Sequence, residues 1–169
     1  MPMPPIDSPP PALGYLRVIA YAFVDESVTW TGRQILYVDG VLLGPVPRLV
    51  ICQNIFGELK DFLLCHCNEQ WEELGLTGSA SLEQLKAQAE RSYRGITGKW
   101  IHTEMPAESV EQWIRAQAAE ETCSFCGKLP PEVEDMVLGN KACICNECVA
   151  AIHQAMCEST AGKAGTSPS

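Results

Sequence analysis

Cys123-Ser124-Phe125-Cys126 and, eighteen residues later, Cys145-Asn146-Glu147-Cys148 are two C-x-x-C pairs at the spacing of a metal site. Each pair can close a tight knuckle whose backbone N–H groups point at the thiolates. Four sulfurs at the corners of a tetrahedron then shut a metal off from water and leave no position for a substrate, so the spacing predicts a structural site. Its ligands are Cys123, Cys126, Cys145 and Cys148. Zn²⁺ is the expected ion, ahead of iron, which four thiolates would also accept. Two disulfides or unpaired core thiols are the plainer alternatives; paired C-x-x-C at this separation favours the metal.

The intervening residues fit a small module. Gly127-Lys128 suits a tight turn with positive φ after the first knuckle. Beyond Pro130-Pro131, the spacing of Val133, Met136 and Val137 predicts a short helical segment, with Gly139 as its C-cap. Val149, Ile152 and Met156 then form one apolar stripe on a second helix. About forty residues rarely fold without a metal or a partner, and zinc would supply much of the folding free energy.

Cys123-Ser-Phe-Cys126-Gly-Lys, Glu132-Val133 and Ile144-Cys145-Asn-Glu-Cys148-Val resemble the amino-terminal zinc-binding domain of the ClpX unfoldase, over about residues 120–157. The resemblance implies a four-cysteine zinc module that dimerises and recruits clients and adaptors. It differs in the extra thiol of Cys143 and in lying at the end of the chain, with no AAA+ motor after it. Neither Gly98-Lys99-Trp100, with Tyr93 at the first Gly position, nor Gly162-Lys163-Ala164, with Cys157 there, is a P-loop. The unfoldase activity is therefore not expected to carry over.

The whole chain of 169 residues is 46% hydrophobic and 20% charged, which fits one or two small soluble domains. A net charge of −9 disfavours nucleic acid as a partner. The zinc region sharpens this, with seven acidic residues between Glu120 and Glu158 against Lys128 and Lys141. Nine cysteines, an odd number, suit a reducing compartment. With no secretory signal and Arg17 inside the apolar run Leu13–Val24, no membrane span is expected and a cytoplasmic location is.

Five segments are expected: a Pro-rich disordered arm over 1–14, an α+β domain over 15–101, a helical linker over 102–122, the zinc module over 123–157 and a disordered tail over 158–169. Within the second, strands are read at Arg17–Val24, Gln34–Val38, Arg48–Ile55 and Asp61–Cys67. Asp39-Gly40 turns the chain into a Gly/Pro-punctuated connection, Val41–Pro47, and Gly57 joins the last two strands as an antiparallel hairpin. Ser81 and Gln84 form a capping box, Leu82, Leu85 and Ala89 face the sheet, and Gly95 stops that helix. Trp71 and Trp100 would seal the edges of the helix-on-sheet layer. The stretch from Trp71 to Trp100 also resembles a small domain of uncharacterised bacterial proteins, which implies no activity. Glu108–Ala119, with Val110, Trp113, Ile114 and Ala118 on one stripe, is a further helix whose pattern favours packing on the α+β domain. The fold class is thus α+β, a small antiparallel sheet covered by a helix, plus a separate small zinc-finger module with four cysteine ligands.

Other chemistry-bearing residues read more plainly. In a strand Cys65 and Cys67 share a face with His66 opposite, so these two and Cys52 are expected in the core rather than on a metal. Cys143 and Cys157 are spare thiols, with exchange of Cys143 against a ligand conceivable under oxidation, and His153 is an exposed helix residue. The enzymatic rival is a zinc deaminase using His102, Glu104, Cys123 and Cys126 in an H-x-E…P-C-x-x-C pattern. Thr122 stands where that pattern needs Pro, Pro106 interrupts its helix, and Cys145 and Cys148 would be stranded. A zinc-containing nucleic-acid regulator is the other rival. The expected function is non-enzymatic: a zinc module that forms a homodimer and binds protein partners or unfolded clients.

Overall fold

Residues 7–33, 36–56, 61–79 and 81–163 are described by the computed structural model. They fall into two compact units, Met1–Ile114 and Arg115–Ser169. The first contains β1 (Ala12–Leu13), β2 (Leu16–Phe23), β3 (Thr29–Trp30), β4 (Tyr37–Val38), β5 (Val41–Leu42) and β6 (Arg48–Asn54). It continues with β7 (Phe62–Cys67), β8 (Glu73–Ser79), α1 (Leu82–Ser92), β9 (Tyr93–Arg94) and β10 (Ile101–His102). Helix α2 (Ala107–Gln117) begins in this unit and ends in the second, which holds β11 (Met136–Leu138), β12 (Cys143–Cys145) and α3 (Asn146–Lys163).

The main sheet is antiparallel, in the order β1-β2-β6-β7-β8, with β10 on the same edge of β2 as β1. Both of its faces are covered, which is why β2 and β6 read as nearly continuous apolar runs. One residue inserted in β2 makes this work. The register against β6 shifts between Val18 and Ala20, a β-bulge at Ile19. Leu16, Val18, Tyr21 and Phe23 therefore face one side, and Ala20 and Ala22 the other.

On the second of these faces, Ala20, Ala22, Leu49, Ile51 and Leu64 pack against Leu85 and Ala89 of α1, with Tyr93 and Ile96 closing the layer and Trp100 at its margin. Ser81 caps α1, its Oγ accepting from the Gln84 N–H at 3.5 Å. The capping box is only half formed: Ser79 Oγ donates to Gln84 Oε1 at 3.0 Å and accepts from the Ser81 N–H at 3.4 Å. After the helix Gly95 takes φ +96°, and a Cβ there would sit 3.1 Å from the Ser27 carbonyl oxygen. That position requires glycine.

The first face buries Leu13, Val18, Val50, Cys52, Cys65, Cys67 and Trp71. Cys52 and Cys65 Sγ lie 3.6 Å apart in this apolar layer, and the Cys67 thiol is pushed up to about 12, first by burial and then by the neighbouring Cys65. Trp71 seals this side, not the edge of the helix layer. Its indole packs edge-on to Tyr21 and Phe23, at 5.3 and 5.6 Å, while the Arg48 guanidinium stacks 4.3 Å over it. The turn at Asn68–Glu72 directs it there, because Asn68 Oδ1 accepts from the Gln70 and Glu72 N–H groups and Trp71 takes φ +66°.

Other segments differ from expectation. Residues 12–13 are not a free arm: Ala12 and Leu13 are buried in β1, and the Pro11 carbonyl accepts from the Val18 N–H. Strand β8 was hidden by Gly75 and Gly78, which weaken strand propensity. Leu36 and Val38 lie over Gly75; a Cβ there would fall 2.6 Å from Leu36 Cδ2, so any other residue would have to displace that side chain. Val41–Leu42 is a strand rather than a connection, paired with Tyr37–Val38 across Asp39 (φ 51°) and Gly40 (φ 78°). Two residues of positive φ make the turn whose twist matches a hairpin. Gln34, Ile35 and Gly57 lie outside the described residues. His102 and Thr103 belong to the sheet rather than a linker, with Thr103 donating to the Ile19 and Val18 carbonyls. Helix α2 buries Val110, Ile114 and, just after its end, Ala118, as its periodicity implies.

His66 is 3% exposed and lies beside Tyr93, with ring centroids 6.1 Å apart. Burial lowers its pKa below the ordinary 6.5, a Gly75 backbone hydrogen bond opposing this only in part. The folded state thus holds His66 neutral, whereas the unfolded chain takes up a proton as pH falls past about 6.5. The stability involved is present above that value and lost below it. Urea midpoints of the first unit should therefore fall between pH 7 and pH 5, and His66→Phe should flatten this dependence. An unchanged slope in that variant would exclude His66 as its source.

Candidate metal centre

The second unit has little apolar interior. From Arg115 onward the buried hydrophobic residues, among those described, are Ala118, Cys123, Leu129, Cys143 and Cys145. Three of the five are cysteines, and two of these are candidate ligands. Such a unit lacks the buried area to offset chain entropy unaided.

Its backbone is organised around sulfur. The Cys123 carbonyl accepts from the Gly127 N–H at 2.8 Å, and the Cys123 N–H donates to the Lys128 carbonyl at 2.8 Å, with Gly127 at φ +72°. This closes the first knuckle. The second lies where β12 runs into α3. There the Cys145 N–H points at Cys123 Sγ and the Cys148 N–H at Cys145 Sγ, both at 3.4 Å. Ser124 ties the knuckles together, its N–H donating to the Cys143 carbonyl and its Oγ accepting from the Cys143 N–H.

The four Sγ atoms of Cys123, Cys126, Cys145 and Cys148 all lie within 4.8 Å of one another. Cys123 to Cys148 is 3.8 Å and Cys126 to Cys145 is 3.6 Å. A tetrahedral ion with Zn–S bonds of about 2.3 Å needs sulfurs about 3.8 Å apart. The donor set, the separation and the N–H···S contacts all fit Zn²⁺. Although burial raises it, backbone N–H groups of Cys126, Cys145 and Phe125 bring the Cys123 thiol down to about 6. Cys148 is instead pushed up to about 12, first by its contact with the Cys126 thiol. A bound dication would supply the positive charge that lets all four ionise together.

Residues 121–158 match the ClpX C4-type zinc finger. No solved structure matches the chain. The matched stretch holds the four cysteines that the spacing singles out, placed close enough together to bind a metal and consistent with the expected Zn²⁺.

Its internal secondary structure differs from expectation. Met136, Val137 and Leu138 form β11, paired with β12, instead of a short helix, and Gly139 sits in the hairpin turn, donating to the Ala142 carbonyl at 2.7 Å. A 3₁₀ turn at Pro130–Glu132 precedes them, where Glu132 Oε2 accepts from the Leu129 N–H and Oε1 meets Arg115 at 2.7 Å. The second knuckle drives the difference, because β12 must present Cys145 inward and β11 completes its ladder. Helix α3 starts at Asn146, two residues before the last ligand, and runs to Lys163, past the expected start of the tail. Asn146 and Asp135, which carry no motif signal, lock this start by exchanging two hydrogen bonds.

Of the remaining candidates, Cys143 is not among the four clustered thiols. Cys143 Sγ donates to the Glu120 carbonyl at 3.5 Å. His102 is held in β10 opposite Ala20, and Glu104 is exposed; both belong to the first unit. Among the described residues no helix is long and apolar enough to cross a membrane.

Proposed function

We propose that the zinc finger is a non-enzymatic interaction module that pairs two chains and presents apolar surface to protein partners or unfolded clients. The observation that carries this reading is the stripe of Val149, Ile152 and Met156 on α3, each exposed although the helix grows directly out of the metal knuckle. Such a patch usually marks an interface, and two-fold self-association is the commonest way to cover one. Likeness to the ClpX finger supports the same reading, since that family domain dimerises. A closed four-sulfur centre has no open position for chemistry, which argues against the deaminase-type reading. The acidic balance of the module argues against nucleic acid.

Ile152→Asp tests this. A carboxylate on the stripe must stay solvated, so the full chain should turn from dimer to monomer in light scattering while keeping its zinc. Wild-type protein that stays monomeric at every accessible concentration with zinc bound would remove the pairing.

A further inference from the structure

Beside the apolar stripe, α3 carries a second set of metal-ligating atoms. His153 and Cys157 stand one turn apart on the helix, and His153 Nε2 lies 3.7 Å from Cys157 Sγ. Bond lengths of about 2.3 Å to sulfur and 2.0–2.1 Å to nitrogen, at a tetrahedral angle, require a separation of about 3.6 Å. The pair is therefore already set to hold two corners of one tetrahedral ion. Both side chains are exposed. From Asn146 to Ser159 the helix contains no Lys or Arg, and Glu158, next to Cys157, favours a cation.

We propose that His153 and Cys157 are half of a second, soft-metal site of the Zn²⁺ class, completed by His153 and Cys157 of the partner subunit. This rests on the pairing proposed above. At about 100° per residue, His153 and Cys157 follow one edge of the stripe formed by Val149, Ile152 and Met156. A two-fold axis that lays stripe on stripe antiparallel returns that same edge to the same side of the interface. Two His-x₃-Cys pairs then meet around a shared ion with two sulfurs and two nitrogens, a closed set. The imidazoles bind neutral through Nε2. Each Cys157 loses its thiol proton to solvent as its S–metal bond forms, so two protons leave for each ion and no electron is transferred. The shared ion would link assembly to metal supply without involving Cys123, Cys126, Cys145 or Cys148.

Cobalt(II) titrated into the full-length chain loaded with one zinc per chain, under a phosphine reductant, reads the second site alone because that zinc fills the tighter four-cysteine site. Tetrahedral cobalt bands should grow to an end point of about half an equivalent per chain. His153→Ala combined with Cys157→Ser, both at exposed positions, should abolish the bands and leave the first zinc in place. Ile152→Asp, kept monomeric, should lose the half-equivalent end point. A dimer that takes up no cobalt, or wild-type chains that each bind a full equivalent, would overturn the shared site while leaving the pairing intact. A monomer without cobalt bands would instead remove the pairing on which it rests.

Discussion

Cys145→Ser should release the zinc and unfold residues 121–158, with the sheet unit left intact. Cys145 is fully buried, its Sγ lies 3.6 Å from that of Cys126, and it accepts from the Cys148 N–H. Serine offers a hard oxygen in place of a soft thiolate and leaves a three-sulfur set. Apparent zinc-binding free energies in small fingers are about 10–16 kcal/mol at neutral pH, more than a module with four buried apolar residues, three of them cysteines, can replace. Zinc at the four-cysteine site should fall from one ion per chain to none. Amide signals of residues 121–158 should collapse to the unfolded range, while those of β2, β6 and β7 keep their dispersion. Stoichiometric zinc in the variant, or a dispersed module without it, would refute the four-thiol assignment.

Trp71→Ala should be the most damaging single change in the sheet unit. The indole is 2% exposed and packs against Tyr21, Phe23 and the Arg48 guanidinium. Removing a buried aromatic of this size costs about 3–5 kcal/mol, and Arg48 would lose the nearer of its two aromatic partners, keeping Phe23 at 5.3 Å. Against a total of about 5–15 kcal/mol for a domain, this is a large fraction. Because Trp71 has φ +66°, Trp71→Gly should be at least as stable as Trp71→Ala, reversing the usual order. Urea titrations of the three proteins measure both effects. A loss under about 1 kcal/mol for Trp71→Ala would mean the face is not packed as described.

The metal centre was legible because its ligands are local. A C-x-x-C pair places two sulfurs in one knuckle whatever surrounds it, so Cys123, Cys126, Cys145 and Cys148 could be named from spacing alone. The longer strands of the sheet and helix α1 were legible for a related reason: apolar runs and a Ser81 cap act within a few residues. Reading the Met136–Leu138 segment failed because Val133, Met136 and Val137 satisfy a helical period equally well. Pairing with β12, whose place is set by the second knuckle, decides it for strand.

The amino-acid sequence by itself determined which four cysteines come together, the expectation of zinc, the α+β class and the apolar stripe of α3, since each depends on residue chemistry at short range. Only the tertiary structure decided which face each residue of β2 serves, that Ala12–Leu13 and the glycine-bearing β8 join the sheet, and that Trp71 covers the side away from α1. These depend on a one-residue bulge and on a turn held by Asn68. A bulge leaves no mark on an apolar run that is buried on both faces, because alternation is the signal it would have to disturb.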